Sequence, residues 1–485
     1  MSEQIRKLSG EMTDVDVLVI GSGAAGLCAA LAAIEHGAHR VLIAEASGEV
    51  GGSSRLSGGI VMGSRSAIQR ANGIHEGEDD LFSDYRSLMR WDIAAGPVRK
   101  FARRSGETID WLAAHGVLFF DRLIFGGEER QPRSHAVDGG GQALIDALHR
   151  AATAREVDIA LGQRVDRLLV SEGRVIGVAV GQDEITAGAV VLATGGFGAS
   201  PEKIAELFPS AWDPERTWYI GHDGARGDAL DLAEPVGGQV TGQDRGLRTL
   251  GPGGTFVNEA LLPGWTVLLD PDGHRFADET APYGILDNAV RAHGNRCVAF
   301  LDSAALDPPA ELADRYRNAY KQVWPNHPPF RPRHYTPDMI EFMLGQKRAF
   351  AADDLGSLAS EVGLDPIAVT GEIERYNRFA DAGSDDDFGK ADKFLLPLRT
   401  APFYAVPLWP IAVNVTGAGL RIDDCARVIG ADGVPIPGLF AAGECTGGLF
   451  GPLYMGSGNS LGLATGIGRI AGEEAAAEAT GERHT

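Results

Sequence analysis

Short apolar runs that end in glycine recur along this chain, and their spacing sets out its architecture. Val17-Leu18-Val19-Ile20 is an unbroken run of the kind expected of a parallel strand buried on both faces. Gly21-Ser22-Gly23-Ala24-Ala25-Gly26 follows at once, and the alanine-rich stretch from Leu27 to His36, closed by Gly37, reads as a helix. Val41-Leu42-Ile43-Ala44 is a second run with Glu45 at its end, which completes a βαβ unit of roughly thirty residues. Residues 64–150 are predicted to be mainly helical, with an amphipathic stretch from Ala102 to His115. Strands are predicted over Val165–Val170, Val175–Val180 and Ala189–Ala193, the last entering Thr194-Gly195-Gly196-Phe197-Gly198.

The pattern changes after residue 260. Prolines crowd the stretch from Pro308 to Pro337, helices are predicted at 337–351 and 367–380, and Asp385-Asp386-Asp387 reads as a solvated loop. After 405 the first style returns: Leu439-Phe440-Ala441-Ala442 leads into Gly443-Glu444, a glycine-rich loop runs from Gly447 to Gly458, and a helix follows from Asn459 to about Ala477. The fold class expected is α/β: a Rossmann-like FAD-binding domain with a parallel sheet, formed by residues 1–260 and 406–485 and interrupted by an α+β capping domain over 261–405.

Composition narrows the partners. The 485 residues include 65 glycines, about twice the usual share of ~7%. A net charge of −22 disfavours nucleic acid and anionic membranes as partners. Cys28, Cys297, Cys425 and Cys445 form no CxxC and no metal pattern, so reduced cysteines in a cytoplasmic enzyme without a metal are expected. The polar N-terminus has no apolar signal core, and no uncharged run reaches the ~18 residues of a membrane span.

The glycines carry the chemistry. Gly21 permits the tight turn after the strand, Gly23 lets backbone approach a pyrophosphate, and Gly26 allows the helix to pack on the strand. Ser22, Ala24 and Ala25 complete that turn, and the helix start presents amide N–H groups and a positive dipole end to the phosphates. Glu45, followed by Ala46, is placed to accept hydrogen bonds from ribose hydroxyls, and its charge repels a 2′-phosphate. NAD and FAD both fit this unit. Further glycine contacts at Gly52-Ser53-Ser54, Ser57-Gly58-Gly59, Thr194-Gly195-Gly196 and Gly443-Glu444 favour the longer FAD, and a second GxGxxG is absent.

Here the chain resembles the fumarate reductase/succinate dehydrogenase flavoprotein superfamily. The resemblance is carried by VIGSGAAGLCAA, GGSSRLSGG, VVLATGGFG, GARGDALDLA, GHRFADE, APFYA, TGAGLRID and IPGLFAAGECTGG with GSGNSLGLATGIGRIAG. It implies an FAD-binding domain interrupted by a cap, with further cofactor contacts at Val165, Asp228, Ser460 and Leu461. Asp228 is read either as a cofactor contact or as a helix N-cap. Members with covalent FAD use a histidine after the GG-S/T motif; Arg55-Leu56-Ser57 stand there, so FAD is expected to be non-covalent.

Within that resemblance, the groups that hold dicarboxylates are replaced. Asn414-Val415-Thr416-Gly417-Ala418-Gly419 lacks both histidines of the family's HHTMGG, and no arginine precedes Gly458-Asn459-Ser460-Leu461. Phe300–Leu306 lacks the proton-donating arginine, and Tyr283 stands where the relay arginine is expected after Arg275-Phe276-Ala277-Asp278-Glu279. Glu279-Thr280-Ala281-Pro282-Tyr283 and Tyr454-Met455-Gly456-Ser457-Gly458 resemble instead the two tyrosine motifs of 3-ketosteroid dehydrogenases. The resemblance implies Tyr283 as base, Tyr454 as phenol donor to a ketone oxygen, and the Gly458 N–H as second donor.

The expected substrate is a small apolar ketone, desaturated beside its carbonyl and serving an unidentified electron acceptor. One alternative is an ene-reductase on an acidic unsaturated substrate, held by Arg291, Arg296 or Arg333. The other is a flavin-binding electron carrier without catalysis. Trp265 and Trp409 are read as pocket wall or core, Phe119 and Phe120 as core, and His222 as a loop or surface residue.

Overall fold

The computed structural model describes residues 13–127, 129–253, 262–319 and 335–481. Arg333 and the prolines at 325, 328, 329 and 332 lie outside them. The chain divides into two compact units. The first comprises residues up to Ser210, Tyr219–Gly246 and the chain from Asn414 onward; the second comprises Ala211–Trp218 and Leu247–Val413. The junctions expected at 260/261 and 405/406 therefore both fall inside the second unit.

In the first unit, β1 (Val15–Ile20) runs parallel to β2 (Val41–Glu45), with Val17 opposite Val41 and Ile20 opposite Ala44. On its other side β1 pairs in parallel with Asp183–Leu192, which pairs in parallel with Pro435–Ala441; β2 pairs with Asp158–Leu161. These five strands are the parallel core of an eight-stranded sheet whose remaining strands pair antiparallel. The helix α1 (Ala24–Glu35) crosses from β1 to β2. The C-terminal helix Asn459–Thr480 packs on α1 through small residues. A Cβ on Gly468 would sit 2.4 Å from the Ala25 carbonyl oxygen, and one on Gly472 would sit 2.0 Å from that of Ala29.

The stretch 64–150 is less helical than its pattern suggests. It holds the helices Asp80–Leu88, Ala95–Ala114 and Gly140–Ala154, but Ile60–Met62, Phe119–Ile124 and Ser134–Val137 form a small antiparallel sheet. Phe119 and Phe120 lie on its middle strand in sequence, half-buried rather than in a core.

The second unit is a sheet covered on both faces. Cys297–Asp302 pairs antiparallel with Val267–Leu269 and with Phe403–Thr416. Side chains alternate across it. Cys297, Ala299 and Leu301 join Leu286, Val290, Ile340 and Met343 in one core, while Val298 and Phe300 join Leu358, Val369, Ile373 and Tyr376 in the other. Trp265 belongs to the first of these cores, with Tyr316 and Tyr335 against its ring. The helix predicted over 337–351 ends at Gly345, because the chain turns back to place Phe350–Ala352 on the sheet.

Asp385 is not solvated as its charge run suggests. It is buried, and its carboxylate accepts from Arg275 at 2.9 and 3.2 Å. Arg275 also donates to Glu279 at 2.9 and 3.0 Å, and Lys390 Nζ donates to Glu279 at 3.0 Å and to the Thr266 carbonyl at 3.1 Å. All four charged groups are buried, so each depends on its partners to offset lost hydration. Burial alone would raise the Glu279 carboxyl; Lys390 and Arg275 reverse this and hold it below its ordinary value of 4.5.

Asp385→Ala leaves Arg275 half-paired and is expected to cost about 3–5 kcal/mol, read from urea unfolding midpoints. Because the folded-state value of Glu279 is depressed, its contribution is complete above about pH 4.5 and is lost as pH falls through the lower folded value. Glu279→Gln should flatten the acid limb of the stability profile.

Candidate functional site

The carboxyl ends of the parallel strands open onto one elongated cavity in the first unit, enclosing about 1350 Å³ free of atoms and partly open to solvent. Each element contributes through its local geometry. Gly21 has φ +104°, and a Cβ there would lie 2.4 Å from the Ala193 carbonyl oxygen. Gly26 lies beneath α1, where a Cβ would come within 1.9 Å of the Gly21 oxygen. Gly23 is different: an added Cβ would meet nothing nearer than Ser54 Oγ at 3.6 Å, so its bareness opens space toward the cavity.

No side chain caps the start of α1. Ala24 N–H donates to Ser54 Oγ at 3.2 Å. Glu45 accepts from Ser22 N at 2.9 Å, Ser22 Oγ at 2.6 Å and Ser47 N at 2.7 Å, which fixes its carboxylate at the cavity wall. These features fit FAD: a bare helix start for the pyrophosphate, an oriented carboxylate for the ribose, and length enough for the flavin.

The cavity wall contains Gly21, Ser22, Gly23, Ala24, Ala25, Glu45, Ala46, Gly52, Ser53, Ser54, Ser57, Val165, Thr194, Gly195, Asp228, Gly443, Glu444, Ser460 and Leu461. Gly26, Gly58, Gly59 and Gly196 are not on it. Gly26 packs on the strand. A Cβ at Gly59 would lie 2.2 Å from Gly140, and one at Gly196 would lie 2.2 Å from both Glu444 and Thr416. Gly26, Gly59 and Gly196 serve close packing around the site rather than its surface, whereas a Cβ at Gly58 would meet nothing within 4 Å.

Asp228 is the first residue of the helix Asp228–Ala233, whose N-cap is Gly227, so it is not the cap. It faces the cavity and pairs with Arg164 at 2.6 Å. Its carboxyl is raised by burial, against the pull of Arg164.

Several wall residues have no motif to announce them: Gln163, Arg164, Leu449 and Phe450 reach the cavity from separated segments. His222 belongs with them, although its loop position suggested a surface residue. Its Nδ1 accepts from Gly224 N at 3.0 Å, and its own N–H donates to Ser53 Oγ at 3.0 Å.

Glu444 is pushed up by burial, though Thr416 donates to its Oε1 from backbone and side chain at 2.9 and 2.8 Å. Arg164 and His222 are the cationic residue types on the wall, and Arg164 is neutralised by Asp228.

Tyr454 and Gly458 stand beside this cavity, at the start of the C-terminal helix. The buried Tyr454 hydroxyl lies 2.7 Å from Ser460 Oγ and accepts from Ser460 N at 3.2 Å. Burial raises the phenol above its ordinary value, with both Ser460 bonds opposing. It therefore stays protonated at neutral pH. Gly458 has φ +92° and caps the helix without a side chain; among the described residues no group accepts its N–H. The loop is held by Ser457 N donating to the Gly126 oxygen at 2.9 Å and by Ser134 Oγ donating to the Ser457 oxygen at 2.6 Å. Tyr283 belongs to the second unit, where it opens the helix Tyr283–Ala292 behind Pro282 and is half-buried.

Comparison with known proteins decides the family. A profile described as an FAD binding domain matches residues 16–461. The chain belongs to that family. Within the fumarate reductase/succinate dehydrogenase superfamily it is an FAD-dependent oxidoreductase. It is 30% identical over 478 residues to a fumarate reductase (cytochrome) of Shewanella frigidimarina, covering 95% of this chain and 77% of the relative. It is 28% identical over 495 residues to a vinyl phenol reductase of Lactiplantibacillus plantarum, covering 95% of this chain and 96% of the relative. The structure of a 3-ketosteroid delta1-dehydrogenase from Sterolibacterium denitrificans superposes with a TM-score of 0.79 at 20% identity, over 96% of this chain and 99% of that one. At that identity the likeness concerns the fold alone. Among the described residues no helix of this FAD-binding protein is long and apolar enough to cross a membrane.

Glu45→Ala removes the ribose acceptor and frees Ser22. It is expected to weaken FAD binding about tenfold to a hundredfold, read by equilibrium dialysis and the ratio of flavin to protein absorbance.

Proposed function

We propose that this oxidoreductase introduces a carbon–carbon double bond beside a neutral ketone, in a 3-ketosteroid or a smaller cyclic ketone. The observation that carries the reading is the pair of neutral donors at the start of the C-terminal helix: a protonated, buried Tyr454 phenol and the unaccepted Gly458 N–H. Such donors hold a carbonyl oxygen and stabilise the charge it gains when an α-proton leaves. Tyr283 takes that proton, with a neighbouring group needed to lower its basicity threshold at neutral pH. FAD, when bound, supplies the acceptor for the β-hydride. An uncharged substrate needs no guanidinium clamp, and Asn414 lines the cavity at a position where the resemblance to dicarboxylate-reducing members implies a histidine.

The reductive direction is the second reading, because the fumarate reductase and vinyl phenol reductase relatives are reductases by name. For an acidic substrate it requires cations; of those expected, Arg333 lies outside the described residues and the other two are engaged elsewhere. Arg291 lies 3.8 Å from Asp287, which also pairs with Arg248 at 3.0 Å. Arg296 lines a different cavity.

The test is anaerobic mixing of the FAD-loaded protein with a saturated 3-ketosteroid, cyclohexanone and succinate, followed by flavin absorbance. Bleaching by ketone and not by succinate is expected. Tyr283→Phe should slow it by about 10²-fold or more with FAD content unchanged, and Tyr454→Phe by about 10²–10³-fold. Failure of every ketone to bleach the flavin, together with fumarate turnover by a reduced dye, would replace this reading with the second.

A further inference from the structure

The second unit contains a cavity of its own, with about 500 Å³ free of atoms and no wall residue in common with the cofactor cavity. Its wall gathers Arg296, Lys347 and Arg348 around Trp409, with Glu361 the one acidic side chain among them. In a chain of net charge −22 this grouping is unexpected.

Most arginines here are engaged by carboxylates, as Arg216 is by Asp213 at 2.8 Å. Among the described residues none of the three cavity cations lies within ion-pair distance of one. Arg296 donates from Nη2 to the Val362 oxygen at 2.6 Å, and its Nε is buried without an acceptor. Arg348 donates from Nη1 to the Pro252 oxygen at 3.3 Å. Lys347 is exposed and held in a left-handed turn at φ +53°.

A simpler account would make Lys347 and Arg348 partners of the carbonyl end of the helix Pro337–Gly345, which they follow. It does not cover Arg296, which comes from the segment before the strand Cys297–Asp302, nor the Pro252 acceptor of Arg348. The Trp409 ring lies under the Arg296 and Arg216 guanidinium groups, at 5.7 and 4.9 Å from its centre. It screens one side of them from water and orients the Arg296 fork.

We propose that this cavity binds a small oxyanion bearing two or more negative charges, a phosphate or a dicarboxylate, at a site separate from that of FAD. Unpaired guanidinium and ammonium groups converging on one hollow supply the charge-assisted donors such a ligand needs.

The test is calorimetric titration of the full FAD-loaded chain at low salt with inorganic phosphate and, separately, with succinate. Saturable binding of one of them is expected, and which one binds separates the two sources. The double variant Lys347→Gln/Arg348→Gln should weaken it about tenfold or more, with flavin absorbance and unfolding midpoint unchanged. Arg296→Gln should weaken it likewise, and since that residue is part-buried, the exposed Lys347→Gln serves if it unfolds. Added salt should weaken binding in the parent chain. Absence of binding by both anions at millimolar concentration, or equal binding by the double variant, would overturn the proposal. Retention in the double variant of succinate binding alone would assign it to the catalytic site instead.

Discussion

Backbone-to-backbone contact on both sides of α1 is the constraint on which the cofactor site rests. One side of the helix meets the turn after β1 through Gly26, and the other meets the C-terminal helix through Gly468 and Gly472. At each position a Cβ would come within 2.4 Å of a carbonyl oxygen. A side chain at any of them would push α1 outward, and its uncapped start would leave the position that Gly21 and Gly23 define. The same contact fixes the start of the C-terminal helix, where Gly458 and Ser460 lie. Phosphate recognition and the donors beside Tyr454 are thus set by one packing decision rather than by two.

That decision was legible in the sequence because it is local. A strand, a six-residue glycine turn and a helix must be neighbours in the chain, and β1, α1 and β2 emerge within two residues of where the apolar runs put them, save that the helix starts earlier, at Ala24. The C-terminal helix was legible for the same reason, although it continues to Thr480. What escaped was long-range. Asp385 reads as one of three exposed aspartates, and its burial depends on Arg275, 110 residues away. Gln163 and Arg164 reach the cofactor cavity from the loop after Asp158–Leu161, a strand that only long-range pairing places beside β2. His222 gave no signal beyond a loop position, since its role depends on Ser53 across the cavity wall.

Electrostatics then sorts the two cavities. At the cofactor cavity, burial raises Glu444 and, beside it, Tyr454, and each shift favours the protonated, neutral form, while Asp228, also raised by burial, stays paired with Arg164. With Arg164 held by Asp228, little free positive charge faces that space. The cavity around Trp409 has the opposite balance, with cations in excess over the single Glu361.

This separation bears on how substitutions redirect a fold shared by dicarboxylate reductases and ketone desaturases. On the proposed reading, Asn414 and Tyr283 stand where the resemblance implies a histidine and an arginine, which removes attraction for carboxylates. Burial raises the Tyr454 phenol, so it keeps its proton in the dry interior. Restoring an arginine near Tyr454 without removing the tyrosine would lower the phenol and weaken the grip on a carbonyl oxygen before it created a site for an acid.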